Sequence, residues 1–189
     1  KKAAAKVRPA RRAAQNARLS RKASITSASG PSAPALDLPA LERLLLAGKS
    51  KDVRARAKAA LASKGTVSVA ALHTLIAESW IRERRFVQAR DAYLAAHRAR
   101  PKTSLGADAL YLAGVLDLER LRKPSLATQR FSRYIGYYRR GRQRQGAHYM
   151  LVRALAKAGK SAAAKQAAKR YQGEFPQGRY LRAIAALGL

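Results

Sequence analysis

Apolar residues return at helical spacing along the chain from Asp37 onward. Leu41 and Leu44 belong to one apolar stripe, and Val53 and Ala57 belong to the next. Residues three and four positions apart lie on the same face of an α-helix, so each stripe predicts a helix that buries one side. No segment alternates apolar and polar residues for long enough to predict a strand. The pattern therefore predicts an all-α protein built from antiparallel helical hairpins.

A few residues with strong local preferences predict where helices begin and end. Asp37 is a candidate N-cap of the first helix, and Pro39 suits its first turn. Gly48 is a candidate stop for that helix, because glycine readily adopts the left-handed conformation that ends helices. Thr66 or Ser68 is then expected to cap a longer helix.

The hairpins repeat along the sequence. Ala89, Ala127 and Ala164 occupy the same place in three aligned segments, at spacings of 38 and 37 residues. A period in this range is typical of stacked helical units. Alanine at this place lets the two helices of a pair approach closely, and the residues four and seven positions later continue the buried face.

This spacing resembles the second-helix signature of the tetratricopeptide repeat (TPR) family. The segment from Phe86 to Pro101 matches best, whereas one extra residue precedes Ala127 and Ala168 replaces a larger residue. The residues that carry the resemblance, all expected to be structural, are Trp80, Phe86, Ala89, Tyr93, Ala96, Pro101, Tyr111, Gly114, Ala127, Phe131, Tyr134, Tyr149, Gly159, Ala164, Tyr171 and Pro176. The resemblance implies a TPR-like superhelix of stacked hairpins.

The helix pattern and the resemblance divide the chain into an arm and a repeat domain. Residues 1–36 are basic, lack a sustained apolar face and end rich in Ser, Gly and Pro, so they are expected to form a disordered arm and linker. Residues 37–189 are expected to form the repeat domain. Its predicted units are about 37–65, 67–101, 104–140 and 145–176, followed by a capping helix at 178–187.

The unit length and the Tyr-x-x-Gly pattern at Tyr111 and Gly114 are similar to those of bacterial envelope TPR proteins. Two groups share these features: the periplasmic TPR protein associated with the Tol–Pal system, and the TPR segment of FecR-like anti-sigma regulators. The resemblance implies a role in envelope assembly or signalling. It also implies a location in the bacterial periplasm or cell envelope, with the cytoplasm as the alternative.

The charge of the chain is large and uneven. Lys and Arg number 40 against 10 Asp and Glu, which gives a formal net charge of +30. Residues 120–189 hold seventeen basic residues and a single acidic one, Glu174. Such a charge favours anionic partners, namely acidic proteins, nucleic acid or acidic lipid. The Ala- and Arg-rich coding of a high-GC genome would explain the same excess without any binding role.

A cluster of Arg and Tyr is the strongest candidate for a binding surface, because Arg pairs with phosphate or carboxylate groups and Tyr stacks on bases. Arg90, Arg133, Arg140 and Lys169 are chosen by charge and expected exposure. The full set of candidate partner-binding residues is Arg90, Arg130, Arg133, Arg139, Arg140, Arg142, Arg144, Lys165 and Lys169. The alternative is structural. Tyr134 lies on the buried repeat register, Tyr137 or Tyr138 could fill the joint to the next helix, and the arginines could form a solvated turn.

The sequence offers little for catalysis. It contains no cysteine, and its three histidines, His73, His97 and His148, form neither an HExxH motif nor a pair at ligand spacing. No phosphate-binding glycine loop or serine nucleophile elbow is present. The chain is therefore expected not to be an enzyme and to hold no cofactor or metal. No apolar run in this chain is long enough to span a bilayer.

Two functions follow from these features. The TPR resemblance implies a non-catalytic scaffold that binds a partner protein or peptide, and the net charge favours an acidic partner. The alternative is a nucleic-acid-binding protein that uses the basic arm and the Arg/Tyr-rich segment at 130–144.

Overall fold

The computed structural model describes residues 37–63 and 67–189. Within these ranges the chain forms nine helices and no strand, which confirms the predicted all-α class. The helices are α1 (Leu38–Leu46), α2 (Ser50–Ala62), α3 (Val69–Arg82), α4 (Phe86–Ala99), α5 (Ser104–Glu119), α6 (Pro124–Tyr137), α7 (Arg144–Lys157), α8 (Ser161–Glu174) and α9 (Leu181–Ala185). The arm predicted over residues 1–36 lies outside the described residues, and so does Thr66.

Consecutive helices from α1 to α8 pack against one another. In addition, α1 contacts α3, α3 contacts α5, and α5 contacts α7. Three clusters of buried apolar side chains run through these helices and join neighbouring pairs. The core therefore lies both between the two helices of each pair and between successive pairs.

Similar backbone turns join the two helices of the pairs, and the α5–α6 turn is one residue longer than the other three. Each turn contains one residue with positive φ: Gly48 (74°), Arg84 (57°), Arg122 (51°) or Gly159 (71°). The carbonyl of the next residue accepts a hydrogen bond of 2.9–3.1 Å from the N–H of Val53, Ala89, Ala127 or Ala164. These four side chains are fully buried, at 0% exposure. The pair α1–α2 therefore repeats the geometry of the three pairs with the alanine signature, with Val53 in place of alanine.

Close packing between α5 and α6 explains two of the other signature residues. Phe131 of α6 is fully buried. A Cβ on Gly114 would meet the Phe131 ring at 2.8 Å, so the two helices reach this distance because residue 114 has no side chain. The extra residue of this unit lies in the α5–α6 turn, between Arg120 and Lys123.

Two even-numbered helices each carry a tyrosine near their C-terminal end, and its hydroxyl accepts a hydrogen bond from the backbone of the turn that follows. Tyr134 on α6 and Tyr171 on α8 are fully buried. The backbone N–H of Gln143 donates to the Tyr134 hydroxyl, and that of Tyr180 donates to the Tyr171 hydroxyl, both at 3.0 Å. A glycine lies two residues before each donor, where a Cβ would meet the phenol oxygen at 2.4 Å. Each tyrosine therefore fixes the path of the chain into the next helix.

Removing either phenol oxygen should reduce stability while the ring stays packed. Tyr134→Phe and Tyr171→Phe are each expected to lower the free energy of unfolding by about 1 kcal/mol, because a backbone N–H loses its partner. Urea unfolding of the variants measures this change. Tyr137→Phe is the control, since the Tyr137 side chain is largely exposed. An equal loss in all three variants would contradict the role assigned to the two buried hydroxyl groups.

The ends of several elements differ from the predictions. Asp37 directly precedes α1, but its side chain makes no capping hydrogen bond. Ser68 caps α3 by accepting a hydrogen bond from the Ala71 N–H at 3.5 Å. The last helix is shorter than the predicted capping helix, since α9 has 5 residues. The segment directly before α9 is not helical. It is held in place by Tyr180, whose ring stacks on the Tyr149 ring with the ring centres 4.5 Å apart.

A candidate cationic surface

The nine cations predicted to bind a partner divide into two groups. Four of them form ion pairs with carboxylates of the same chain: Arg90, Arg130, Arg142 and Arg144. The others are exposed and form no ion pair within residues 37–63 and 67–189: Arg133, Arg139, Arg140, Lys165 and Lys169. Four of the predicted cations therefore take part in contacts within the protein, and the other five are available at its surface.

The internal part centres on Asp117 of α5, which is fully buried between two arginines. Arg90 on α4 approaches one carboxylate oxygen at 3.5 Å, and Nε of Arg130 on α6 donates to the other. Arg90 also binds Asp91 at 2.7 Å. Its side chain is only 13% exposed, so the exposure expected of Arg90 is wrong. The reason is that α5 carries a carboxylate into the interior, where two guanidinium groups neutralise it.

Two further arginines form ion pairs that connect the α6–α7 region to other helices. Arg142 pairs with Asp108 on α5. Arg144 pairs with Glu174 on α8 and donates to the backbone carbonyl of Ile135 at 2.8 Å. Because both arginines already have carboxylate partners, less of their charge is available to a ligand.

A groove between α4 and α6, with α5 beneath it, brings three arginines together. We call it the cationic groove; it has a volume of about 210 Å³ and is lined by Leu94, His97, Arg98, Leu110, Gln129, Arg130 and Arg133. Arg130 reaches from the groove to Asp117, whereas Arg98 and Arg133 are exposed. The groove therefore offers two exposed guanidinium groups next to apolar side chains.

His97 contributes a neutral side chain to the cationic groove. Its Nδ1–H donates to the Gly106 carbonyl at 3.0 Å, and this partner fixes the tautomer because a carbonyl can only accept. Burial lowers the pKa of His97, and the Arg133 and Arg98 guanidinium groups lower it further, against the opposing effect of the bond to Gly106. The positive charge of the groove at neutral pH therefore comes from its arginines.

The three tyrosines of the Arg/Tyr-rich segment lie in different environments. Tyr134 is fully buried, as its place on the repeat register predicts. Tyr138 is half-buried, and its hydroxyl donates to the Pro101 carbonyl. Tyr137 is 70% exposed, and the Arg133 guanidinium lies 5.7 Å from its ring centre. Of these tyrosines, Tyr137 is the one that can offer a ring face to a ligand.

Tyr137 borders a second groove, at the C-terminal end of α6. This groove has a volume of about 400 Å³, and Lys102, Arg139 and Arg140 contribute cations to its lining. Arg139 and Arg140 are exposed. Asp108, which pairs with Arg142, also lines this groove, and the exposed Tyr137 ring with cations nearby is an arrangement that suits phosphate contacts together with base stacking.

The two predicted lysines lie apart from these grooves. Lys165 and Lys169 are exposed on α8, whereas Arg170 lines a separate groove of about 330 Å³ between α6 and α8. Arg98 and Gln129 of the cationic groove are not among the residues predicted from the sequence. No spacing within one helix marks them, because they come together only when α4 and α6 both pack on α5.

The odd-numbered helices carry a groove of different character. It has a volume of about 410 Å³ and includes Glu42, Leu45, Glu78 and Arg82 of α1 and α3. Burial raises the pKa of Glu78, and the nearby Glu42 carboxylate raises it further, while Arg82 lowers it. Two carboxylates beside apolar side chains do not suit an acidic ligand, so such a ligand fits the cationic groove better.

The ranges that the structure describes contain no group of three or more side chains placed to ligate a metal. None of their helices has the length and apolar content needed to cross a bilayer. Comparison of the chain with protein-family models, with curated proteins and with solved structures finds no match. Function must therefore be inferred from the surfaces themselves.

Proposed function

We propose that the protein is a non-catalytic interaction scaffold that binds an acidic partner protein or peptide in the cationic groove. One observation carries the proposal: Arg98 and Arg133 project from α4 and α6 beside the half-buried Leu94. Arginine binds carboxylates in a bidentate manner, and Leu94 adds apolar area that a partner can bury. An acidic segment that also carries apolar residues fits both features.

The distribution of charge supports an acidic partner. The carboxylates that already bind a cation of the same chain are Glu83, Asp91, Asp108, Asp117, Glu119 and Glu174. They are six of the ten acidic residues in the sequence. The exposed cations of the even-numbered helices are therefore left with few acidic neighbours, which favours association with an anionic surface.

The proposal includes a TPR-like stacking of the helix pairs in a superhelix. Three features support it: the repeated turn, the buried residue at positions 53, 89, 127 and 164, and the contacts between successive odd-numbered helices. A stacked array presents long continuous surfaces, which suit the binding of partner proteins. The resemblance of the repeats to envelope TPR proteins is our reason for extending the proposal to envelope assembly or signalling.

Charge reversal in the groove should weaken binding of an acidic peptide. Arg98→Glu with Arg133→Glu is expected to reduce the affinity for a labelled peptide of Glu and Leu residues by at least about tenfold, because two attractive contacts become repulsive. Fluorescence anisotropy measures the affinity. The matched control is Arg56→Glu with Lys58→Glu, which makes the same change of charge at exposed positions on α2. Equal losses in both variants would reject the groove as the site.

The exposed ring of Tyr137 favours a second candidate function, the binding of single-stranded nucleic acid at the end of α6. Arg133 lies against this ring, and Arg139 and Arg140 are exposed beside it. Binding of a single-stranded DNA that persists near 150 mM salt and is lost in Tyr137→Ala would favour this function over the first. Loss of DNA binding at that salt would favour the protein scaffold.

A further inference from the structure

One end of every helix pair carries exposed cations. At this end each odd-numbered helix turns into the following even-numbered helix. We call this surface the turn edge; its exposed cations without an ion pair among the described residues include Lys49, Lys51, Arg84, Arg85, Arg120, Arg122, Lys123 and Lys160. It lies at the opposite end of α6 from Tyr137.

Contacts between neighbouring units hold the turns side by side. Arg54 of α2 binds Glu83, in the turn of the next pair, at 2.8 Å. Arg120, in the α5–α6 turn, lies 5.4 Å from the ring centre of Phe86, the first residue of α4. The turn edge is therefore a continuous row and not a set of separate loops.

Such contacts also neutralise the carboxylates of the turn edge. Glu83 is bound as just described, and Glu119 is bound by Arg153 at 2.8 Å and by Lys157 at 3.7 Å. Asp52 is the remaining acidic residue beside the turns. The exposed cations of the turn edge thus face solvent with little negative charge near them.

Two of these cations occupy backbone positions that disfavour a side chain. Arg84 and Arg122 have φ of 57° and 51°, whereas the equivalent residues of the other two pairs are Gly48 and Gly159. A left-handed backbone is less favourable for an arginine than for a glycine. Both arginines are exposed and bind no carboxylate of the described residues. Their charge is therefore available to an anionic ligand.

From these observations we infer that the turn edge binds the sugar–phosphate backbone of a nucleic-acid duplex. Packed helices lie about 8–10 Å apart, so a row of four such turns extends over roughly 30 Å. A duplex carries one negative charge per about 1.7 Å of its axis, so phosphates can meet cations along the whole row. The row has no largely exposed aromatic ring for stacking on unpaired bases, which favours a duplex over a single strand.

This inference goes beyond the proposed function, because it concerns a different surface and a different class of ligand. The cations at the turn edge come at regular intervals from successive turns. A regular polyanion matches such spacing without any reading of base sequence. Binding at the turn edge should therefore be steeply dependent on salt and indifferent to the sequence of the duplex.

The test uses the full chain and a labelled DNA duplex of arbitrary sequence, titrated by fluorescence anisotropy between about 50 and 300 mM salt. In Arg84→Gly with Arg122→Gly, the duplex affinity is expected to fall about tenfold near 100 mM salt. The slope of log K against log salt is expected to decrease by about 2. This variant should fold, because Gly48 and Gly159 already occupy the equivalent positive-φ positions of the other two pairs, and its melting temperature should rise.

Three comparisons make the result decisive. Arg84→Asn with Arg122→Asn should reproduce the loss, since asparagine tolerates the left-handed backbone and carries no charge. Arg56→Ala with Lys58→Ala removes the same charge from exposed positions of α2 and should change the affinity by less than about twofold. The Glu/Leu peptide should bind the glycine variant as it binds the original chain, because Arg98 and Arg133 are unchanged.

Two outcomes would overturn the inference. Equal losses of duplex binding in the glycine and the α2 variants would mean that net charge alone is responsible. A loss of binding to polyglutamate without a loss of duplex binding would assign the turn edge to an acidic protein. The variants of this test leave Arg98 and Arg133 of the cationic groove unchanged. Failure of this inference is therefore distinguishable from failure of the proposed function.

Discussion

Asp117→Asn should lower the free energy of unfolding by about 3 kcal/mol. Asp117 is fully buried on α5, with Arg90 and Arg130 on either side of its carboxylate. Removing one partner of a buried ion pair leaves an uncompensated charge, which typically costs about 3–5 kcal/mol. We expect the lower end of this range because the two arginine side chains are 13% and 18% exposed and can reach water.

For a domain of this size, the loss corresponds to a fall in melting temperature of roughly 10 °C. Thermal and urea unfolding followed by circular dichroism measure it. Asp91→Asn is the matched control, because it removes the other carboxylate bound to Arg90 at a position that is 57% exposed. The control should change stability by less than about 1 kcal/mol. Similar losses in both variants would mean that burial of the Asp117 ion pairs is not what holds the three helices together.

Gly106→Ala should be the most disruptive single methyl addition in the described part of the chain. A Cβ on Gly106 would lie 2.0 Å from the carbonyl oxygen of Arg100, which is backbone and cannot rotate away. The start of α5 would have to move, and with it the hydrogen bond between His97 and the Gly106 carbonyl. Overpacking of this kind costs about 1–3 kcal/mol, and a backbone clash belongs near the upper end.

Gly136→Ala is the control for this substitution, and its expected effect has the opposite sign. Gly136 lies exposed near the end of α6, and an added Cβ would meet nothing within 4 Å. Alanine should therefore stabilise the helix by about 0.5–1 kcal/mol, because it loses less backbone entropy than glycine. If both alanine variants shift the urea midpoint in the same direction, the close approach at Gly106 does not govern its stability.

The sequence predicted the repeated interior of this fold well because that interior depends on local spacing. Ala89, Ala127 and Ala164 are all fully buried at the same point of their helices, as the alignment predicts. Gly114 and Tyr134 also have the packing roles expected of them. Small and aromatic residues at fixed intervals on one helix face can be recognised in a single sequence. Their spacing predicts which helices form pairs.

The surface was harder to predict, because it depends on which helices become neighbours. Arg90 and Arg133 are both arginines on even-numbered helices, yet Arg90 binds the buried Asp117 and Arg133 is exposed. The difference arises from one carboxylate on α5, which a sequence of scattered acidic residues does not single out. Arg98 belongs to the cationic groove for the same kind of reason, since only the packing of α4 and α6 on α5 brings it near Arg133.

The position of Asp117 also determines which part of the protein persists as the molecule fluctuates. In an array where each helix pair packs mainly on its neighbours, opening begins at the ends and moves inward. The ion pairs of Asp117 link α4, α5 and α6, in the middle of the helical order. Amide hydrogens of these three helices should therefore exchange with solvent last. The cationic groove is built from the same three helices, so it would stay formed, and ready to bind, while both ends of the array open and close.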